Sequence, residues 1–134
     1  MIDISPDARI KATIKPGSVY YFTEDSFGKT SPHFFIVINN DPLNDEALFL
    51  VCATSQIEKC KKRRKNKQET LVEIKCSEYQ DFTCDTIVDC NNIFIKSIDV
   101  IIEKMKNGNL KQKKHIDFSH PCLLNIAKYQ QKRF

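Results

Sequence analysis

The chain has 134 residues, 41% of them hydrophobic and 28% charged, with a net charge of +4. That length and balance describe one folded domain, not a disordered segment, and such a domain buries roughly two-thirds of its unfolded surface. No apolar run approaches the roughly 20 residues that span a bilayer. Residues 1–11, MIDISPDARIK, mix acids and bases without an apolar stretch, so no signal peptide is read there. The expectation is a cytoplasmic protein with no membrane partner.

In chain order, Ser5-Pro6-Asp7 offers a helix N-cap, a proline for the first helical position and an acid for the first turn, so a short helix is expected to about Ile14. Lys15-Pro16-Gly17 then breaks it. Residues 19–23 are β-branched and aromatic and read as a strand. Residues 24–32 read as a polar loop containing Gly28. Residues 33–39 and 47–53 are continuous apolar runs, too short for most helices, and read as buried strands. The turn-rich stretch 40–45 between them makes the pair an antiparallel hairpin.

The run Lys61, Lys62, Arg63, Arg64, Lys65 and Lys67 places six positive charges in seven residues. The other 15 basic residues face 17 acids, so the rest of the chain is nearly neutral. The run is read as a loop. It either meets a nucleic acid or is a solvated insertion. Residues 70–75 alternate and read as a half-exposed strand; residues 86–90 and 93–95 read as two more. Ile98, Ile101, Ile102 and Met105 then fall at i, i+3, i+4 and i+7, one face of a helix that Ser97 caps and Gly108 ends. A last helix is expected after Ser119 and Pro121, with Leu123, Leu124, Ile126, Ala127 and Tyr129 on its apolar side.

The outline is an α+β domain: a short N-terminal helix, five or six short strands, then two C-terminal helices. Short strands joined by tight turns favour a small antiparallel barrel, because closure removes exposed edges. Ile36, Ile38, Leu48, Leu50, Ile74, Ile87 and Ile101 are expected inside. Six cysteines, Cys52, Cys60, Cys76, Cys84, Cys90 and Cys122, show no C-x-x-C spacing and no paired histidines. They are read as reduced, packed side chains, with no metal site and no cofactor.

Four strings, taken in order, resemble the PemK/MazF family, the toxin half of type II toxin–antitoxin pairs. Lys15-Pro16-Gly17-Ser18-Val19 resembles that family's opening Gly-Asp-Val/Ile strand. Ser31-Pro32-His33-Phe34-Phe35-Ile36-Val37-Ile38-Asn39-Asn40-Asp41 resembles its Arg-Pro-hydrophobic strand ending in Asn-Asp. Val51-Cys52-Ala53-Thr54-Ser55-Gln56-Ile57-Glu58-Lys59 is similar to its buried strand with a Thr-Ser or Thr-Ala-Gln exit, and Thr70-Leu71-Val72-Glu73-Ile74 to its His-Val-Glu-Ile strand. The likeness runs over residues 15–107. It implies an SH3-like barrel over about residues 15–96 with a helical part over 97–134, in one domain. It also implies a homodimer, an antitoxin protein as partner, and metal-independent cleavage of single-stranded RNA.

The family's catalytic threonine matches Thr54. Its catalytic arginine falls at Ser31, and a further arginine falls near Phe94. Such cleavage uses the 2′-hydroxyl as internal nucleophile. It needs a base, an acid for the leaving oxygen, and a cation beside the phosphorane. The local substitutes are His33 for proton transfer and Lys29 for the phosphate, with Thr54 and Ser55 as positioning hydroxyls. Ser31, Lys61, Lys62, Arg63 and Arg64 are the other candidate RNA contacts. Each has a plainer reading: His33 as a core or sheet-capping residue, Lys29 as a solvated side chain, Thr54 and Ser55 as turn residues closing a strand. His115 and His120 lie outside the resemblance and read as surface residues. The rival function is a barrel of the same fold without the chemistry, binding RNA or a partner peptide.

Overall fold

The computed structural model describes residues 4–28, 31–66 and 70–116. Helix α1 (Pro6–Thr13) opens as its sequence dictates: the Ser5 hydroxyl accepts from the Ala8 N–H at 3.2 Å, and Asp7 sits in the first turn. Strand β1 (Val19–Phe22) follows, then a 3₁₀ turn (Asp25–Phe27), and strands β2 (His33–Val37) and β3 (Leu48–Thr54). Helix α2 (Ile57–Arg63), strand β4 (Leu71–Ile74), the long strand β5 (Thr86–Lys96), helix α3 (Ile98–Lys106) and strand β6 (Leu110–Lys113) complete the described order.

The six strands form one antiparallel sheet in the order β4-β5-β3-β2-β1-β6. The β2–β3 hairpin forms with Phe34 opposite Ala53 and Val37 opposite Leu50. Its turn is held by Asn39, which is buried; the side-chain amide donates to the Ala47 carbonyl at 2.9 Å and accepts from the Phe49 N–H at 2.7 Å. Strand alternation gives the sheet two apolar faces. On one, Ile36, Val51, Val72 and Val88 pack with Tyr79, Phe82 and Ile116. On the other, Tyr20, Phe35, Leu50 and Leu110 pack under α1 and α3 through Ile10, Ile101 and Ile102. All seven residues expected inside are at most 3% exposed. Burying each is worth roughly 1.5–3 kcal/mol.

Four expectations are corrected. The sheet is not closed into a barrel: β4 and β6 are its edges. Residues 75–85 stand beside β6 in place of a closing strand pair. The Tyr79 hydroxyl donates to the Lys114 carbonyl, and the Lys114 N–H donates to Asp81 at 2.8 Å. The backbone groups there meet side chains rather than β4. Second, the basic run is not all loop; its first three residues end α2. Third, the two strands read over 86–90 and 93–95 are the single strand β5, carrying a bulge. Fourth, β6 was not expected. It pairs with β1, and its one buried apolar residue is Leu110. Lysines along an edge strand shield it from other edges. The last helix, with His120 and Cys122, lies outside the described residues, as do Lys29 and Lys67. Among the described residues no helix is long and apolar enough to cross a membrane.

A cationic cleft on the sheet as the candidate functional site

A cleft of about 680 Å³ opens on the sheet face that also carries α1 and α3. Three strands supply its floor. His33 begins β2, Cys52 and Thr54 lie two apart on β3, and Asp89, Asn92 and Phe94 come from β5. Helix α2 supplies one wall with Lys59, Arg63 and Arg64, and Gln56 precedes it. Phe27 of the 3₁₀ turn and Ser31 complete the rim.

The β5 bulge shapes this site. Cys52 pairs with Asp89 whereas Val51 pairs with Ile93, so Cys90, Asn91 and Asn92 have no counterpart on β3. Bulges re-aim side chains and are frequent beside functional sites. Here the bulge holds Asp89, whose carboxylate accepts from the Asn91 N–H at 3.0 Å and from Arg64 Nε at 3.0 Å. Asp89 is 7% exposed. The ion pair answers the cost of burying its charge, and it fastens α2 to the sheet.

His33 is half-buried, and its Nδ1 is enclosed without a hydrogen-bond partner among the described residues. Its ring meets Phe27 edge-on at 5.3 Å, and Phe27 meets Phe94 edge-on at 5.5 Å. Aromatic packing against Phe27 helps orient the imidazole. The Thr54 hydroxyl accepts from the Gln56 N–H at 3.2 Å, closing the strand before α2 begins. Glu24 secures Phe27: its carboxylate accepts from the Ser26 N–H and hydroxyl at 3.3 and 2.7 Å and pairs with Lys96 at 2.6 Å. Burial alone pushes the Glu24 carboxyl up, but the bonds from Lys96 and Ser26 outweigh it and hold it below its ordinary 4.5. A depressed carboxylate adds stability above its unfolded value and loses it as pH falls through the folded one. Stability is thus expected to drop below about pH 4.5, and Glu24→Gln to flatten that acid limb in urea titrations. An unchanged limb would refute this.

Cys52 shares the cleft floor with His33, so a thiolate nucleophile is worth testing against its surroundings. Burial pushes its thiol up to about 12, and the nearby Asp89 carboxylate adds to the shift. At neutral pH it stays protonated and unreactive. Cys90 is likewise pushed to about 12 by burial and then by Asp89, and burial raises Cys60. Cys76 and Cys84 are exposed; the Cys76 thiol is itself held up by its hydrogen bond to Asp85. Iodoacetamide on the native protein is therefore expected to label Cys84 and Cys76 before Cys52, Cys60 or Cys90. Peptide mapping that found Cys52 labelled first would contradict this. Among the described residues no group of three His, Cys, Asp or Glu side chains converges as a metal ligand set.

The structure brings Ser31, His33, Thr54, Arg63 and Arg64 to one cleft. Ser55, Lys61 and Lys62 are not on its wall; Lys61 pairs instead with Glu73 on β4. Lys29 lies outside the described residues. Sequence reasoning missed Lys59, Asp89, Asn92 and Phe27. The signal for Lys59 was its four-residue spacing from Arg63, legible only once residues 57–63 are seen as a helix. The signal for Asp89 was a lone charge inside the apolar run 86–90. Among known proteins, no family model and no curated protein matches this chain.

Proposed function

We propose that this protein is a metal-independent endoribonuclease of the PemK/MazF type, acting on single-stranded RNA in the cationic cleft. The observation that carries the reading is that two separate segments, Ser31–His33 and the Thr54 turn, meet on one wall system with basic helix residues. The open six-stranded sheet is read as a relative of the SH3-like barrel, with an antitoxin protein and a second copy of the chain as partners. In this reading the RNA 2′-hydroxyl attacks the adjacent phosphorus, the bond from phosphorus to the 5′-oxygen breaks, and a 2′,3′-cyclic phosphate forms. His33 takes the proton of the 2′-hydroxyl or gives one to the leaving 5′-oxygen, with water serving the other end, Thr54 positions the phosphate, and the cations of α2 offset the charge of the phosphorane.

Two observations favour the rival, a domain of this fold that binds RNA or an acidic partner peptide without cutting. Position 31 is serine where the resembled family has arginine, and the Thr54 hydroxyl is already engaged by its own turn. The test is incubation with a long single-stranded RNA in excess EDTA. Fragments ending in 2′,3′-cyclic phosphate support the nuclease. Retention of intact RNA supports the binding module, and neither result leaves both readings without support.

A further inference from the structure

We propose that Lys59 and Arg63, on one face of α2, form the site that grips an RNA phosphodiester, replacing from a helix the cation that position 31 lacks. The inference rests on the reading of the cleft as an RNA site.

The helix sorts its charges by angle. Residues four apart lie on the same side of an α-helix, and Lys59 and Arg63 both line the cleft. Cys60 is buried on the core side and anchors the helix. Lys61 turns to Glu73, and Lys62 is exposed away from the cleft wall. Arg64 faces the cleft floor, where it pairs with Asp89. That pair offsets the charge of Asp89, the one acidic group lining the cleft among the described residues. Lys59 and Arg63 are exposed, and neither pairs with a carboxylate among the described residues. The cleft thus keeps a surplus of two cations on its α2 wall, facing the strands that bear His33 and Thr54.

A guanidinium fork matches two phosphate oxygens, and a lysine beside it adds a point charge. An acidic peptide would also be drawn to two cations. RNA is favoured by the rest of the wall: Phe27 and Phe94 offer ring surface, and the exposed Asn92 offers a carboxamide that can donate to and accept from a base edge. A base next to a phosphate uses the ring surface and both the donor and the acceptor of the carboxamide, whereas a run of carboxylates uses only its N–H donor.

The test compares two double variants of equal charge, K59Q/R63Q and K61Q/K62Q, with the parent full-length protein. The probe is a labelled single-stranded RNA of mixed sequence, titrated at several salt concentrations. Both pairs are exposed or half-exposed, and circular dichroism checks that the variants fold. K59Q/R63Q is expected to weaken binding on the order of 10- to 100-fold and to flatten the salt slope by about 1.4, at about 0.7 per phosphate contact on a single strand. K61Q/K62Q is expected to lose much less. R63K is expected to keep the salt slope and lose cleavage, because the charge stays and the fork goes. Equal losses in the two double variants would overturn the site. So would a parent that binds no RNA, or one that binds polyglutamate through Lys59 and Arg63 while RNA binding is indifferent to them. A parent that binds RNA through these residues and never cuts it would sink the nuclease and leave the phosphate site standing.

Discussion

Replacing His33 with alanine is expected to lower the rate of RNA cleavage by about 10²- to 10⁴-fold, the usual loss when one proton-transfer group is removed. The fold should survive. His33 is half-buried at the start of a strand, and its Nδ1 has no partner among the described residues whose bond would be broken. What is lost is its edge-on contact with Phe27, on the order of 1 kcal/mol. His33→Gln keeps a polar side chain of similar reach and cannot cycle a proton, so it should be as slow as the alanine variant. Thr54→Ala should be slow too, with some loss of stability because the Gln56 N–H loses its acceptor. If His33→Ala and His33→Gln both cleave at the parent rate, the proton-transfer assignment falls, whatever cuts the RNA.

The second large effect concerns the fold. Gly17→Ala is expected to destabilise the protein by about 3 kcal/mol or more, roughly a 10 °C fall in the midpoint of thermal unfolding for a chain of this size. Gly17 has φ +91°, a region in which a side chain is strained. A Cβ there would stand 2.1 Å from the Ile116 carbonyl oxygen, which is backbone and cannot swing aside. The same residue donates its N–H to the Val37 carbonyl at 2.9 Å and accepts from the Ile116 N–H at 2.9 Å. It therefore ties the start of β1 to both neighbouring segments, and moving it disturbs both. An alanine variant within about 0.5 kcal/mol of the parent in urea would show that the segment after β6 yields freely.

The core was legible because its signal is local. Ile36, Ile38, Leu48 and Leu50 lie in short apolar runs bounded by turn residues, and such runs are buried wherever the sheet closes over them. Helix α3 was legible for the same reason: Ile98, Ile101, Ile102 and Met105 repeat at the helical period, and Ser97 does cap it, accepting from the Val100 N–H at 3.2 Å. Strand β6 was not, because Leu110-Lys111-Gln112-Lys113 has one apolar residue and owes its strand state to pairing with β1, a neighbour far away in sequence. Asn91 and Asn92 read as a break between two strands. The chain instead absorbs them as a bulge and continues, which no local pattern announces.

The site was legible in part. His33 and Thr54 stood out by residue type, and the hairpin explains why they share an end of the sheet. Phe34 is opposite Ala53, so the residues one step further out are neighbours by register. The basic run stood out as well, but charge count says nothing about direction. Reading residues 61–67 as a loop hid the division between Arg63 and Arg64, which reach the cleft, and Lys61 and Lys62, which do not.

That division has a consequence for how this surface can change. Adding a single residue between Gln56 and Lys59 would advance every later side chain of α2 by about 100° around its axis. Composition, net charge and isoelectric point would stay almost the same. Yet Cys60 would leave its buried seat, Arg64 would swing off Asp89, and the lysine now turned toward Glu73 would be replaced by its neighbour. A stretch that looks freely exchangeable, one basic residue for another, is therefore intolerant of insertions and deletions, because each one turns every later side chain to a new direction. Aligning such chains by their count of lysines and arginines would miss the one property that matters, the angle at which each leaves the helix.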